Sequence, residues 1–252
     1  MHRFFIHPDQ FNSKEVIFTD DIAHQISKVL RFKTGDQVIV LDNSGYEYLV
    51  TLNLTNSGHI KGLIKDKMRS FTEPRAKITL FQSILKADKF ELVLQKGTEL
   101  GVSVFSPTHF SRTNTASKLV QWPNRRSERW QKIIREAAEQ SRRGRLPLLD
   151  QPADFEHVTK SLNGLSIMPY EHESSITLKE ILINWCYKRN AKDINVFIGP
   201  EGGFTSNEIE HAKDNGIIPV TLGPRILRSE TAGLITSGII LYQLGDLSRI
   251  DP

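Results

Sequence analysis

The chain has 252 residues, 38% of them apolar and 25% charged, with a formal charge of +4, which allows one large domain or two ordinary ones around a sizeable core. No apolar run approaches the roughly 20 residues that span a bilayer, and Phe4-Phe5-Ile6 is too short for a signal peptide. The single cysteine, Cys186, excludes an intrachain disulfide and a multi-cysteine zinc site, and the eight histidines are scattered, so a reduced, cytoplasmic, metal-free protein is expected.

The N-terminal stretch alternates short β-type runs with turns. Arg3 to Ile6, Val16 to Thr19, Gln37 to Leu41, Tyr48 to Leu54 and His59 to Ile64 are the candidate strands. Turn signals separate them at Thr34-Gly35-Asp36, Asp42-Asn43-Ser44-Gly45 and Asn56-Ser57-Gly58. One helix interrupts, Asp21 to Arg31, with Thr19 or Asp20 as its N-cap. Several short strands around one helix suggest a small barrel, a form that often binds RNA. Ser70 to Arg75 breaks the pattern, so domains of 1–72 and 73–252 are expected.

After the break come a buried strand, Lys77 to Leu85, and a helix, Lys86 to Leu100, with Phe90, Val93, Leu94, Gly97 and Leu100 on one face. Val102 to Pro107 is the next strand. Asn124 to Arg142 reads as an amphipathic helix burying Trp130, Ile133, Ile134, Ala137 and Ala138. Eight basic residues fall between Arg125 and Arg145 against three acidic ones, a net +5 that leaves −1 for the rest of the chain. Such a concentration is a footprint for phosphate, or a solvated helix face with pairs such as Glu128–Lys132. Leu165 to Met168 is a strand and Thr177 to Tyr187 a helix.

Two glycine-containing loops follow. Ile194 to Ile198 reads as a buried strand and runs into Gly199-Pro200-Glu201-Gly202-Gly203-Phe204. Ile217 to Leu222 runs into Gly223-Pro224-Arg225-Ile226-Leu227-Arg228-Ser229-Glu230-Thr231-Ala232. Strand, loop and helix repeated is the grammar of a parallel α/β sheet, whose ligands bind at the carboxyl ends of its strands. Neither loop carries Gly-Lys-Ser/Thr or G-x-G-x-x-G, so neither is a Walker or a dinucleotide loop. They can let backbone approach a flat, nucleoside-like ligand, or be ordinary βα turns. The last helix, Ser229 to Leu244, places Ala232, Ile235, Ile239 and Tyr242 on one side. Leu234, Gly238 and Leu241 lie close by, so most of its circumference is apolar and should be covered by the core or by a second subunit.

GPEGGF followed by LGPRILRSETA resembles the RsmE family of 16S rRNA uridine-N3 methyltransferases, in the SPOUT superfamily. The likeness runs the length of the chain. Arg3-Phe4-Phe5, His24 with Val29-Leu30-Arg31, Lys96 to Val102, Ser111-Arg112 and Glu136 to Ser141 match its pattern in order. Arg142 departs from it, standing where a small residue is expected.

The resemblance implies a C-terminal SPOUT-type parallel α/β domain with a trefoil knot, a small N-terminal PUA-like β-barrel, and a homodimer. It implies S-adenosylmethionine held in the knot by Pro169, Gly199, Glu201, Gly203, Leu222, Gly223, Ile226, Leu227 and Thr231, with Met168 to Glu171 as one wall. Arg112, Arg228 and Glu230 are its candidate catalytic residues. Uridine N3 must lose a proton before it attacks, so a cation (either arginine) or a base (Glu230) is required. For substrate RNA the candidates are Arg3, His24, Arg31, Arg125, Arg126 and Arg129, with 16S rRNA in the assembled small ribosomal subunit as partner. A ribose 2′-O-methyltransferase of the same superfamily and a non-catalytic RNA-binding assembly factor are the alternatives.

Overall fold

The computed structural model describes residues 1–54, 60–113, 124–188 and 193–248. It divides into two compact units, one of Met1–Glu73 with Ala138–Leu146, the other of Pro74–Ala137 with the chain from Pro147 onward. Among the described residues no helix is long and apolar enough to cross a membrane.

The first unit holds β1 (Arg3–Phe5), β2 (Glu15–Phe18), α1 (Asp20–His24), β3 (Gln37–Leu41), β4 (Tyr46–Leu54) and β5 (Ile60–Arg69). They form a curled five-stranded sheet in the order β1-β3-β4-β5-β2, with β1 parallel to β3 and the other pairs antiparallel. Alternate residues of the strands, among them Phe4, Val16, Phe18, Val38, Val40, Val50 and Leu52, bury into one cluster with Ile26, just past α1. That alternation is why these runs are strands with one covered face.

The expected turn Asn56-Ser57-Gly58 and strand start His59 lie outside the described residues. Past them β5 continues beyond Ile64 to Arg69, because β4 stays paired with it up to Tyr46 opposite Arg69. Lys67 sits 4.4 Å from the centre of the Tyr46 ring, which lets a charged residue serve as a strand residue there. The helix expected to reach Arg31 stops being regular at His24. Gln25–Val29 continues it as a wider turn, closed by the Leu30 N–H on the Gln25 carbonyl, and Arg31 takes φ +55°. Thr19 is the N-cap residue by position, but its hydroxyl accepts from Gln10 Nε2 (2.6 Å) instead of capping.

The second unit contains β6 (Lys77–Ser83), α2 (Ala87–Leu100), β7 (Val104–His109), α3 (Asn124–Gln140), β8 (Leu148–Leu149), β9 (Ala153–Asp154), α4 (Phe155–Val158), β10 (Leu165–Pro169), α5 (Leu178–Lys188), β11 (Asp193–Ile198), α6 (Ser206–Asp214), β12 (Ile218–Val220) and α7 (Ser229–Gln243). Its sheet runs β12-β10-β11-β6-β7-β8, with β9 also on β7, and every pair is parallel. Residues of β6 and β11 alternate between two cores. Leu80, Val196 and Ile198 join Phe90, Val93, Leu94, Trp130 and Leu182. Phe81 and Phe197 stack at 4.4 Å within a second cluster with Phe110, Phe155, Met168 and Phe204. A sheet covered on both faces needs apolar residues at successive positions, which is what marked these runs in the sequence.

The apolar face expected for α3 is the buried one, with Trp130 packed on Phe90 at 4.5 Å. The helix ends at Gln140, short of the expected Arg142, because Arg142 is left-handed at φ +61° and the Arg143 N–H closes onto the Ala138 carbonyl. A left-handed position favours a small residue, so the departure at Arg142 carries local backbone strain. The edge strands β8 and β9 and the single-turn α4 are too short to show a period in the sequence.

Candidate active site

The parallel sheet sets the carboxyl ends of β10, β11 and β12 side by side, so the segments leaving them converge. A cavity of about 340 Å³ there is lined by Pro169, Gly199, Glu201, Gly203, Ile226 and Leu227, among others. A second, of about 450 Å³, is lined by Pro169, Leu222, Gly223, Ile226 and Leu227. They share Pro169, Glu171, Ile226, Leu227 and Ala232, so they adjoin along one wall. Tyr170 lines the second, and Met168 is buried in the aromatic core. Thr231, expected with the cofactor residues, is exposed and lines neither.

The first loop is held from three directions. The Ser229 hydroxyl donates to the Gly199 carbonyl (2.6 Å) and accepts from Gln82 Nε2 (2.9 Å), which joins β6, the loop and α7. Arg112 Nη1 donates to the carbonyls of Gly202 (2.7 Å) and Phe204 (3.3 Å). Lys89, in the first turn of α2, hydrogen-bonds to Glu201 and lies 3.5 Å from Glu230. That pairing raises the Lys89 ammonium above its usual range and lowers the Glu201 carboxyl below its own. Where the loop enters α6, Thr205 and Glu208 form a reciprocal cap. The same Glu208 accepts from the Ser111 N–H (2.7 Å), so it also anchors the turn carrying Arg112.

Arg112 and Arg228 are both exposed, and Arg228 lines the first cavity. Glu230 differs: it is 9% exposed, its Oε2 is buried with no hydrogen-bond partner among the described residues, and it does not line the cavity. Sequence reasoning missed Lys89, Gln82 and Ser229 as parts of this site. A glutamine inside the apolar run Lys77 to Leu85 was the one signal for Gln82.

The candidate RNA residues separate by environment. Arg3 is half-buried and forms an ion pair with Glu47 of β4. His24 and Arg31 are exposed. Arg125 is exposed, Arg126 lies 5.8 Å from the Trp130 ring, and Arg129 donates to Glu91 (2.7 Å). The basic stretch is also less free than its charge suggests. Arg143 is 3% exposed and bound through two nitrogens to Glu73 (2.8 and 2.9 Å). In place of the anticipated Glu128–Lys132 pair, Lys132 faces Glu136 (3.9 Å).

Comparison with known proteins agrees with this arrangement. Residues 72–241 match the model of an RNA methyltransferase domain and residues 18–65 that of an RNA methyltransferase PUA domain. Ribosomal RNA small subunit methyltransferase E of Bacillus subtilis is 31% identical, over 96% of this chain and 97% of its own length. The enzyme of that name from Mesomycoplasma hyopneumoniae is 32% identical, over 93% and 96%. Among solved structures, ribosomal RNA small subunit methyltransferase E of Neisseria gonorrhoeae, bound to S-adenosyl methionine, superposes with a TM-score of 0.83. It is 28% identical, with 96% of this chain and 97% of that one covered. A two-unit chain with a PUA-type half-barrel, a parallel sheet and loops converging at its strand ends thus belongs to the RNA methyltransferase family of ribosomal RNA small subunit methyltransferase E.

Proposed function

We propose that this protein transfers the methyl group of S-adenosylmethionine to N3 of a uridine in 16S rRNA of the small ribosomal subunit. The observation that carries the reading is the pair of adjoining cavities framed by the 199–204 and 222–228 loops. Their volumes fall within the roughly 300–1,000 Å³ of small-molecule sites. Ile198, Phe204, Ile226 and Leu227 offer apolar surface to an adenosine, and Glu171 and Glu201 offer carboxylates to a cationic ligand, so the residues fit this cofactor. When bound, it supplies an activated methyl on a sulfonium.

The protein's own work is positioning and charge. Gln82, Ser229 and Arg112 hold the first loop in shape. The Arg112 guanidinium stays protonated, so it suits stabilising negative charge on the uridine oxygens or orienting a phosphate, and it is no base. Arg228 is a cation in the cavity lining, as is Lys89. Glu230 orients Lys89 and, through it, the Glu201 loop, or takes the N3 proton. The exposed Arg125 and half-exposed Arg126, with His24 and Arg31, contact RNA phosphates. The first 72 residues serve as the RNA-binding domain and 73–252 as the catalytic one, in a cytoplasmic homodimer.

Nucleoside mass spectrometry of 16S rRNA from cells lacking the protein tests the reaction. Loss of 3-methyluridine, restored by the wild-type gene, is the expected result. Loss of a 2′-O-methylnucleoside instead, or no change in any nucleoside, overturns it.

A further inference from the structure

Lys89 lies outside both glycine loops, yet its ammonium is where they are tied together. It hydrogen-bonds to Glu201 of the first loop and lies 3.5 Å from Glu230 at the start of α7. It also lines the 340 Å³ cavity, in company with Glu171, Glu201 and Arg228. Among the residues that line the cavity Glu171 and Glu201 are negative and Lys89 and Arg228 positive, so loss of Lys89 would leave the lining with one net negative charge and Glu230 without its cation 3.5 Å away.

We infer that Lys89 is a specificity-determining residue, setting how strongly the cavity prefers a sulfonium over a neutral thioether. The inference rests on the methyl-donor reading above. In methyl transfer the carbon–sulfur bond breaks with its electron pair left on sulfur. A carbon–nitrogen bond forms from the pair on uridine N3, whose proton is lost. The sulfonium therefore becomes neutral, and any charge fixed around the cavity acts on donor and product differently. An unbalanced negative charge in the lining would stabilise the cationic ground state more than a transition state in which the positive charge is fading, and would slow the transfer. The Lys89 ammonium, paired with Glu201 and 3.5 Å from Glu230, removes that excess. It is raised above its usual range by Glu201, so it remains charged at neutral pH.

Calorimetry of S-adenosylmethionine and S-adenosylhomocysteine on the full chain tests this. The measured quantity is the ratio of their dissociation constants, product over donor, in the wild type, Lys89→Met, Lys89→Arg and Glu201→Gln. Lys89→Met should raise the ratio at least about threefold, the effect of removing one nearby charge at protein-like dielectric. Lys89→Arg should keep the wild-type ratio, and Glu201→Gln should lower it. A purely structural tether would weaken both ligands equally, so an unchanged or lowered ratio in Lys89→Met overturns the inference even if that variant binds poorly. A wild type that binds neither compound overturns the methyl-donor reading, and this inference with it.

Discussion

At the scale of single residues, two glycines that look equivalent in the sequence do different work. At Gly199 an added Cβ would stand 2.9 Å from the Phe204 ring. Gly199→Ala should therefore cost about 1–3 kcal/mol by overpacking, read as a lowered Tm. Gly223 has φ +108° and open space where a side chain would project, on the wall of the larger cavity. Gly223→Val should introduce about 1–3 kcal/mol of backbone strain and also fill ligand space. Calorimetry should then show at least a tenfold loss of S-adenosylmethionine affinity, and wild-type affinity would remove this loop from the site. Arg112 is placed by two bonds to the first loop, and that placement changes what its loss should do. Arg112→Ala should cut single-turnover methyl transfer by about a hundredfold, as removal of a placed donor does. It should also weaken cofactor binding several-fold, because the Gly202 and Phe204 carbonyls lose their partner. A variant with near-normal rate and affinity would leave Arg112 no part in the site.

At the scale of elements, α3 shows how a buried face and a charged face share one helix. Trp130, Ile134, Ala137 and Ala138 lie in the core, while Arg125, Arg129, Lys132 and Glu136 face outward. Arg129 is tied to Glu91 while 68% exposed, so that pair adds no more than about 1 kcal/mol to stability. Replacing Arg125, Arg126 and Arg129 by Gln should reduce the slope of log affinity for rRNA against log salt. The reduction should be about 0.7–0.9 for each RNA phosphate that is no longer neutralised. Arg125 and Arg126 should account for most of the change, since Arg129 already has a carboxylate partner. A slope identical to wild type would make this a solvated face and nothing more.

At the scale of the whole molecule, the last helix leaves one apolar stripe uncovered. Gly233, Thr236, Ser237, Ile240 and Leu241 of α7 are buried within the second unit. Ile235, Ile239 and Tyr242 remain 46%, 41% and 69% exposed, at the i, i+4 and i+7 spacing of one helical stripe. An apolar stripe of that kind suits a symmetric interface with a second copy. Light scattering at micromolar concentration should report about twice 28.7 kDa. Ile239→Glu should halve that mass without unfolding the chain, and a wild type that runs as an active monomer would refute the dimer.

How much of this was legible beforehand follows from how far each feature reaches along the chain. The sequence by itself determined the strand, loop and helix grammar of the second unit, the short strands of the first, and the two loops that mark the family. All of these are local: a pattern of period two or 3.6, or a motif within one turn, is written in consecutive residues. It did not reveal that Lys89 meets Glu201 across 112 positions, that Gln82 meets Ser229 across 147, or that Arg143 is buried on Glu73 across 70. Nor did it show that residues 138–146 belong with the first unit, or that Arg3 is taken up by Glu47. Lys89, Gln82, Arg143 and Arg3 each meet a polar partner far away in sequence. Such a partner offsets the cost of taking a polar group out of water, and only the tertiary structure decides which partner it is.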